Sequence, residues 1–432
     1  MFQTLRNAWK LADLRKKLLF TLLIIVICRV GAAIPVPFLD PAKLGTLFNQ
    51  STANMLGYMD VLTGGALSQG TLFALSIQPY INASIIIQLL MVAIPPLGRL
   101  AKEGEEGQKK VGRITRYVTL ALALIQSLGY YFVMKSYGAV KFTSGFDMWY
   151  AAVVIIASFT AGSCLIVWLG ERIDEKGIGN GISMILFAGI VSRGPSAVNT
   201  LIQYWKLAGE GSIQFYFLVP LIAILFIAVV AFIIFFTNAE RKIPVQYAKR
   251  VVGRKMYGGQ SSYIPVKVNM SGVMPIIFAS SFVSLPATIK AFANIDATST
   301  FGKILSLFDN NTAVYAIIYF LLIIFFNFFY VQIQYNPVEI ANNLQKNNGA
   351  IPGIRPGRPT YEFIQKVLGK VVLLGALFLG FIAVMPIALS WATSMNIQLG
   401  GTTVLILVGV ALETTQRMES QMMMRHYKGF LE

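Results

Sequence analysis

An unbroken apolar run, YFLVPLIAILFIAVVAFIIFF, occupies residues 216–236 and contains no charged side chain. A helix of roughly 20 apolar residues is long enough to cross a hydrocarbon core about 30 Å thick. In lipid such a helix satisfies its own backbone hydrogen bonds, and its side chains need no water. We therefore predict that this run is a membrane-spanning helix.

Nine further runs of the same character divide the rest of the chain. With the first one, they lie near residues 18–34, 72–94, 117–135, 149–169, 181–204, 216–236, 271–290, 312–333, 371–389 and 402–418. Hydrophobic residues make up 56% of the 432 residues and charged residues 13%, a balance that excludes an ordinary water-soluble globular protein. The sequence predicts an all-α polytopic membrane protein with ten transmembrane helices.

Lysine and arginine fall almost entirely into every second gap between these runs. Of the 36 basic residues, those that belong to the poorer side are Lys43, Lys135, Lys141, Arg193, Lys206, Lys290 and Lys303. The positive-inside rule makes the richer side cytoplasmic and places both termini there. The net charge of +17 then lies on cytoplasmic loops, which favours contact with anionic lipid or an acidic partner. Nothing in the sequence resembles a DNA-binding fold.

Residues that carry chemistry are scarce. Cys28 and Cys164 lie inside apolar runs, which predicts two reduced thiols, and His426 is the single histidine. We expect no metal, no cofactor and no enzymatic activity, because no known catalytic or ligand motif occurs. Apart from Arg193 in run 181–204, ionisable residues are also missing from the middles of the runs. Arg29 and Glu413 come nearest, close to run ends, where extension to the membrane interface is the simplest interpretation.

Three loops are longer than a connection requires. Loop 240–269 is rich in β-branched and aromatic residues, which predicts a basic hairpin projecting from the membrane. In loop 334–370, prolines and glycines stiffen the chain around Arg355 and Arg358 and suit these arginines to docking on a carboxylate or phosphate. On the opposite side, loop 35–71 contains a mildly apolar short helix that either folds back into the protein or lies on the surface.

Nine segments, in order along the chain, resemble the SecY/Sec61-alpha family of channel subunits. They are IPVP (34–37), FALSIQPYINASIIIQLL (73–90), EGEEGQKK (103–110), TRY (115–117), WLGERIDEKGIGNGIS (168–183), YAKR (247–250), KVNMSGVMPIIFASS (267–281), NPVEIANNL (336–344) and PGIRPG (352–357). No one of these motifs is decisive, but their ordered combination is highly specific.

The resemblance implies a fold and a function. Two five-helix halves, residues 1–204 and 205–432, would be related by pseudo-symmetry around a central pore. The channel would pass unfolded polypeptides across the bacterial plasma (inner) membrane and release transmembrane segments into lipid through a lateral gate. The implied partners are the SecE and SecG subunits, the SecA motor ATPase, the ribosome, signal sequences and unfolded preproteins.

The resemblance also implies roles for particular residues. The apolar pore ring, called here the ring residues, would consist of Ile77, Ile81, Ile182, Leu186, Ile277 and Ile406. The plug beneath it would be the short helix near Gly57–Gln69, with Gly57, Asp60, Gly64 and Gly65. The lateral gate would use Asn82, Ser84, Gln88, Gln126, Ser280, Ser281 and Asn327. Docking of the motor or the ribosome would use Arg241, Lys242, Lys249, Arg250, Arg254, Arg355 and Arg358.

Elementary chemistry is compatible with these roles. A narrow apolar constriction resists wetting yet yields to a passing chain of any sequence. Two pairs of ring residues, Ile77 with Ile81 and Ile182 with Leu186, are spaced i, i+4 and therefore share one helix face. We expect Asp60, as an isolated charge, to keep the plug from burying deeply. Three prolines, Pro79, Pro275 and Pro286, are expected to loosen or kink the gate helices.

Two other functions remain open from the residues alone. An ion-coupled secondary transporter with inverted repeats would fit five-plus-five spans, although no internal repeat is evident and a coupling carboxylate is missing. A receptor or scaffold, anchored by its spans, would use the basic loops to bind a cytosolic partner.

Overall fold

The computed structural model describes residues 2–50, 60, 63–142, 145–209, 214–247, 250–252, 255–257, 261–292, 299–308, 312–393 and 401–428. Long helices dominate this part of the chain. The helices of the first half are α1 Phe2–Lys10, α2 Ala12–Gly31, α3 Pro41–Gln50, α4 Gln78–Ala93, α5 Pro95–Lys102, α6 Glu105–Ser136, α7 Gly145–Lys176, α8 Gly181–Ser192 and α9 Gly194–Gly209. The helices of the second half are α10 Gln214–Asn238, α11 Met274–Phe292, α12 Thr300–Ser306, α13 Ala313–Gln334, α14 Pro337–Lys346, α15 Arg358–Thr393 and α16 Gly401–Lys428.

Each predicted span coincides with a helix or a broken helix, and the chain is an all-α polytopic membrane protein. Within the described residues, six helices are long and apolar enough to cross a membrane unaided, and the α4–α5 pair, bent by 105°, would make a seventh. The break falls at Ile94, directly before Pro95, where a proline disfavours helical backbone in the preceding residue. The number of ten crossings stays a prediction.

The second predicted span, 72–94, begins too early. Residues 72–77 form turns, and the helix starts at Gln78 with Pro79 in its first turn. Pro275 is likewise the second residue of α11. Proline is well tolerated there because the first N–H groups of a helix have no intrahelical partner. The prediction that these two prolines loosen or kink their helices was therefore wrong; Pro286 does lie inside α11.

The two basic loops 240–269 and 334–370 form one structure. β1 Glu240–Tyr247 pairs antiparallel with β4 Ser261–Lys267, as the hairpin prediction required, and Ile243 faces Ile264 across the pair. β5 Gly349–Ala350, from the other loop, adds to the free edge of β1. Between the long strands, β2 Arg250–Val252 and β3 Lys255–Tyr257 pair as a separate ribbon.

Two large apolar clusters fill the membrane-embedded part. The first joins residues of both halves, from α2, α4, α7, α8, α10, α11, α13, α15 and α16. The second lies within the first half, where the loop after α2 packs against α6 and α7. A third, smaller cluster lies under the hairpin and joins β1 and β4 to α14 and α15. The centre of the molecule is thus packed with side chains from both halves.

Candidate functional site

The ring residues all belong to the first cluster or pack against it. Five of them, Ile77, Ile81, Leu186, Ile277 and Ile406, are buried, and the sixth, Ile182, is partly buried and packs against the cluster. Four different elements supply them: the start of α4, α8, α11 and α16. Their neighbours in the cluster are apolar as well, so the ring residues form part of an apolar contact between helices of both halves.

The plug segment, defined here as the described residues Asp60 and 63–70, lies next to α8. It is not a helix throughout, because residues 64–70 form turns. Gly64 has a φ of 69°, and the N–H of Gly65 donates a 2.9 Å hydrogen bond to the carbonyl of Asp60. A glycine with left-handed backbone, followed by a residue whose N–H bonds to the carbonyl five residues earlier, is a motif that ends helices. The predicted helix near Gly57–Gln69 therefore ends by Thr63, and Gly57 lies outside the described residues.

Asp60 is buried in the plug segment, so the expectation that it prevents deep burial was wrong. Its side chain is only 9% exposed and forms an ion pair with Arg193, whose side chain is 22% exposed. The N–H of Ser68 donates a 2.7 Å hydrogen bond to the other carboxylate oxygen. Burial of a carboxylate is tolerated when it is paired and hydrogen-bonded in this way. The charge consequently anchors the segment.

Arg193 occupies the C-terminal cap of α8, the position where the helix dipole favours a cation. It follows Leu186 by seven residues, which places it about 10 Å along α8 from that ring residue. The backbone of Gly65 approaches so closely that an added methyl group would lie 3.0 Å from the guanidinium. The plug segment thus rests on the end of the helix that carries two ring residues.

Arg29 lies at the same place and completes the contact. Its guanidinium donates a 2.9 Å hydrogen bond to the hydroxyl of Ser192, and an added methyl group on Gly64 would collide with it. Arg29 therefore binds within the protein, against the interpretation that it extends to the membrane interface. Neither arginine was predicted to contact the plug segment. A signal was present, since Arg193 is the one arginine among the seven basic residues of the poorer side.

The IPVP motif holds the other end of the plug segment. The N–H of Val36 donates a 3.0 Å hydrogen bond to the carbonyl of Gly70, and the N–H of Leu72 donates a 2.9 Å bond to the carbonyl of Ile34. Leu67 is buried in the second cluster beside Val36. The segment is therefore attached at its downstream end and held by side-chain contacts at its upstream end.

The predicted gate helices are neighbours in the structure, since α11 packs against both α4 and α6. Within the described residues, however, no side-chain hydrogen bond joins gate residues of the two halves. The Gln88 amide lies 3.4 Å from the Ser84 hydroxyl on its own helix, and Ser280 donates to the carbonyl of Ile277. Of the other gate positions, Ser281 is buried, and Asn82 and Gln126 are half-buried. Within the described residues, the side-chain carbonyl oxygen of Gln126 is buried without a hydrogen-bond partner. Packing closes this contact.

Asn327 has a different role from the one predicted. Its side-chain carbonyl accepts a hydrogen bond from the hydroxyl of Ser271, and its amide donates a 2.9 Å bond to the backbone carbonyl of Val372. Both partners belong to the second half, so the amide does not reach toward α4 or α6. A buried amide that satisfies both of its ends locally is a structural brace.

Of the basic residues predicted for docking, Arg241 and Lys242 lie on β1 of the three-stranded sheet, and Arg355 and Arg358 follow β5 in the chain. Arg241, Arg355 and Arg358 are exposed, and Lys242 lies 4.7 Å from the ring centre of Tyr263. Arg358 is paired at 3.0 Å with Glu362, whereas Arg355 makes no ion pair with any residue in the described ranges. The Thr360 hydroxyl donates a 2.9 Å hydrogen bond to the Arg355 carbonyl and fixes the backbone there. Arg250 lies on β2, and Lys249 and Arg254 lie outside the described residues.

A multi-span helical membrane protein with an apolar centre built from both halves, and a segment packed against it, has the architecture of a channel. The SecY family model matches residues 71–415. This chain is 44% identical to protein translocase subunit SecY of Streptomyces coelicolor over 444 residues, and the alignment covers both chains completely. The chain belongs to the SecY family and is the channel subunit of a protein translocase.

Solved structures share the fold. A SecY channel whose plug domain stabilises the closed state matches with a TM-score of 0.66 and 17% identity, over 94% of this chain and 92% of that one. Canine Sec61 in a ribosome-channel complex matches with a TM-score of 0.60 and 16% identity, over the same shares.

Proposed function

We propose that the chain forms the pore through which unfolded polypeptides cross the bacterial plasma membrane, with both termini in the cytoplasm. One observation carries this proposal: the ring residues, contributed by four elements from both halves, meet in one buried apolar cluster. An apolar constriction of this kind blocks ions by excluding water and opens when a chain displaces the packed side chains. The halves 1–204 and 205–432 would move apart around it.

The plug segment closes the same pore from the outer side. It packs on the end of α8, about 10 Å from Leu186, and an ion pair with Arg193 holds it. Displacement of the segment by an entering signal sequence would be a shift between two packings of one protein. The attachment of Gly70 to Val36 allows the segment to swing without losing its downstream anchor.

The lateral gate lies where α11 meets α4 and α6. Because the contact is closed by side-chain packing, an apolar signal sequence can replace it at little cost in hydrogen bonds. Asn82, Ser84, Gln88 and Gln126 on one side, with Ser280 and Ser281 on the other, would contact the passing segment. Transmembrane segments of the substrate would leave for lipid by this route.

The three-stranded sheet of β4, β1 and β5, together with the exposed arginines Arg241 and Arg355, is the docking platform for a cytoplasmic partner. Arg355 is exposed, has a fixed backbone and lacks an ion-pair partner among the described residues, so it is available for a carboxylate or phosphate. Canine Sec61 was solved bound to a ribosome, and this chain would bind a ribosome and the SecA motor at the same place. SecE and SecG are the expected membrane partners.

Site-specific cross-linking tests the pore. In a chain carrying Cys28→Ala and Cys164→Ala, Ile81→Cys is compared with Ile86→Cys on the same helix, where Ile81 is 8% and Ile86 39% exposed. A preprotein stalled in transit with one cysteine should form a disulfide with Ile81→Cys alone. Equal cross-linking at both positions, or none at Ile81→Cys while the preprotein is protected from protease, would contradict the proposed pore.

A further inference from the structure

Two arginines contact the plug segment, whose one carboxylate among the described residues is Asp60. Arg193 is ion-paired with Asp60, and Arg29 contacts the neighbouring Ser192 and Gly64. Asp60 is the one acidic residue between Asp40 and Glu103, so this stretch brings no second carboxylate to the pair. The plug segment therefore brings one negative charge to two guanidinium groups.

Both guanidinium groups also have unused donors. Within the described residues, the Nε atoms of Arg29 and Arg193 are buried and lack a hydrogen-bond partner. A guanidinium presents five N–H donors in a fork that matches a carboxylate, and a buried donor left unpaired is unfavourable. The pair is consequently able to bind more acceptor oxygen than Asp60 and Ser192 supply.

The position of the pair connects it to the pore. Arg193 caps the C-terminus of α8, which carries Ile182 and Leu186. Arg29 lies in the last turn of α2, and Ile24 and Cys28 of that helix belong to the same apolar cluster. When the plug segment leaves, Asp60 leaves with it, and the outer end of the pore then holds two guanidinium groups without that carboxylate. A polypeptide in transit then provides the nearest replacement.

We propose that Arg29 and Arg193 form a carboxylate-binding site of the open channel, which aspartate and glutamate side chains of the passing polypeptide occupy in place of Asp60. This inference rests on the proposed function, because it requires a pore that the plug segment vacates. Acidic side chains thereby stabilise the plug-free state, and Asp60 is the internal competitor that restores closure once the acidic segment has passed.

The test uses the complex in a planar bilayer, with residues 57–67 deleted so that Asp60 is absent. Tetra-aspartate peptide, added on the outer side, should block the ion current, whereas tetra-asparagine should not. In the same background, Arg29→Gln with Arg193→Gln should raise the half-blocking concentration about tenfold, the loss expected for two partly solvated ion pairs. Lys141→Gln with Lys206→Gln, which removes two exposed outer-side cations, should leave the block unchanged.

The outcomes separate the two proposals. A conducting channel that tetra-aspartate blocks equally well with and without the arginines would overturn the carboxylate site alone. A deletion channel that assembles but stays silent would overturn the proposed function and the site with it. If the deletion does not assemble, full-length Asp60→Asn provides the second background, and the same tenfold difference is required there.

Discussion

The hydroxyl of Ser271 donates a hydrogen bond to the side-chain carbonyl of Asn327 and ties the root of the basic hairpin to α13. Ser271 lies between β4, which ends at Lys267, and α11, which begins at Met274. The amide of Asn327 continues the link to Val372 on α15. The connection between β4 and α11 is therefore fixed to α13 and α15 by buried hydrogen bonds.

Replacement of Asn327 by leucine should destabilise this junction. The hydroxyl of Ser271 and the carbonyl of Val372 would both lose a buried partner, and each unsatisfied group costs about 1–3 kcal/mol. We expect a lower Tm of the purified complex and faster trypsin cleavage in the hairpin. Asn82→Leu is the matched control, since Asn82 is half-buried and forms no such brace. An unchanged Tm for Asn327→Leu would show that the hydrogen bonds of Asn327 do not stabilise the junction.

Replacement of one partner of the Asp60–Arg193 pair should loosen the plug segment. Removing one member of a buried ion pair leaves the other charge uncompensated, typically at about 3–5 kcal/mol. Asp60→Asn and Arg193→Gln should each raise the frequency of channel openings in a bilayer at least tenfold. The double variant should leak no more ions than the leakier of the two single variants, because both changes remove the same interaction. Asp147→Asn, an exposed outer-side change, should have no effect.

A polar side chain in the ring should allow water into the resting channel. Ile81→Asn introduces an amide at a position that is 8% exposed, while Ile86→Asn places the same amide at a position that is 39% exposed on the same helix. An apolar constriction gates by dewetting, so only the first should raise the ion leak of the closed complex. Ion flux into proteoliposomes measures it. Equal leaks from both variants would remove Ile81 from the ring.

Charge reversal at Arg355 should abolish translocation and leave membrane insertion of the chain intact. The reason is that truncating or reversing a docking charge typically costs about 2–5 kcal/mol at a desolvated contact. Preprotein uptake into inverted vesicles is the measurement. Arg113→Glu, another exposed arginine of the cytoplasmic side, is the control and should keep most activity. Normal export in an Arg355→Glu strain would contradict the docking role.

The sequence predicted the parts of the fold that depend on local composition. Apolar length placed the helices, and the β-branched and aromatic content of loop 240–269 predicted the β1–β4 hairpin, in which Ile243 faces Ile264. The i, i+4 spacing of Ile182 and Leu186 was enough to place them on one face of α8. These features follow from local composition and from the 3.6-residue period of a helix.

Long-range polar contacts could not be predicted in the same way. The addition of Gly349–Ala350 to β1, the brace at Asn327 and the Asp60–Arg193 pair each join residues far apart in sequence. A single polar residue in an apolar helix indicates that a partner exists without indicating which one. Asn327 was therefore assigned to the gate, and Asp60 was expected to resist the burial that Arg193 makes favourable.

The most direct test of the central claim, a plugged aqueous pore, is the ion current of the purified complex in a planar bilayer. Wild type is compared with a deletion of residues 57–67, which removes Asp60, Gly64 and Gly65 and leaves the ring residues in place. We predict a silent wild type and a conducting deletion. A folded deletion variant that stays as silent as wild type would contradict the assignments of both plug and ring.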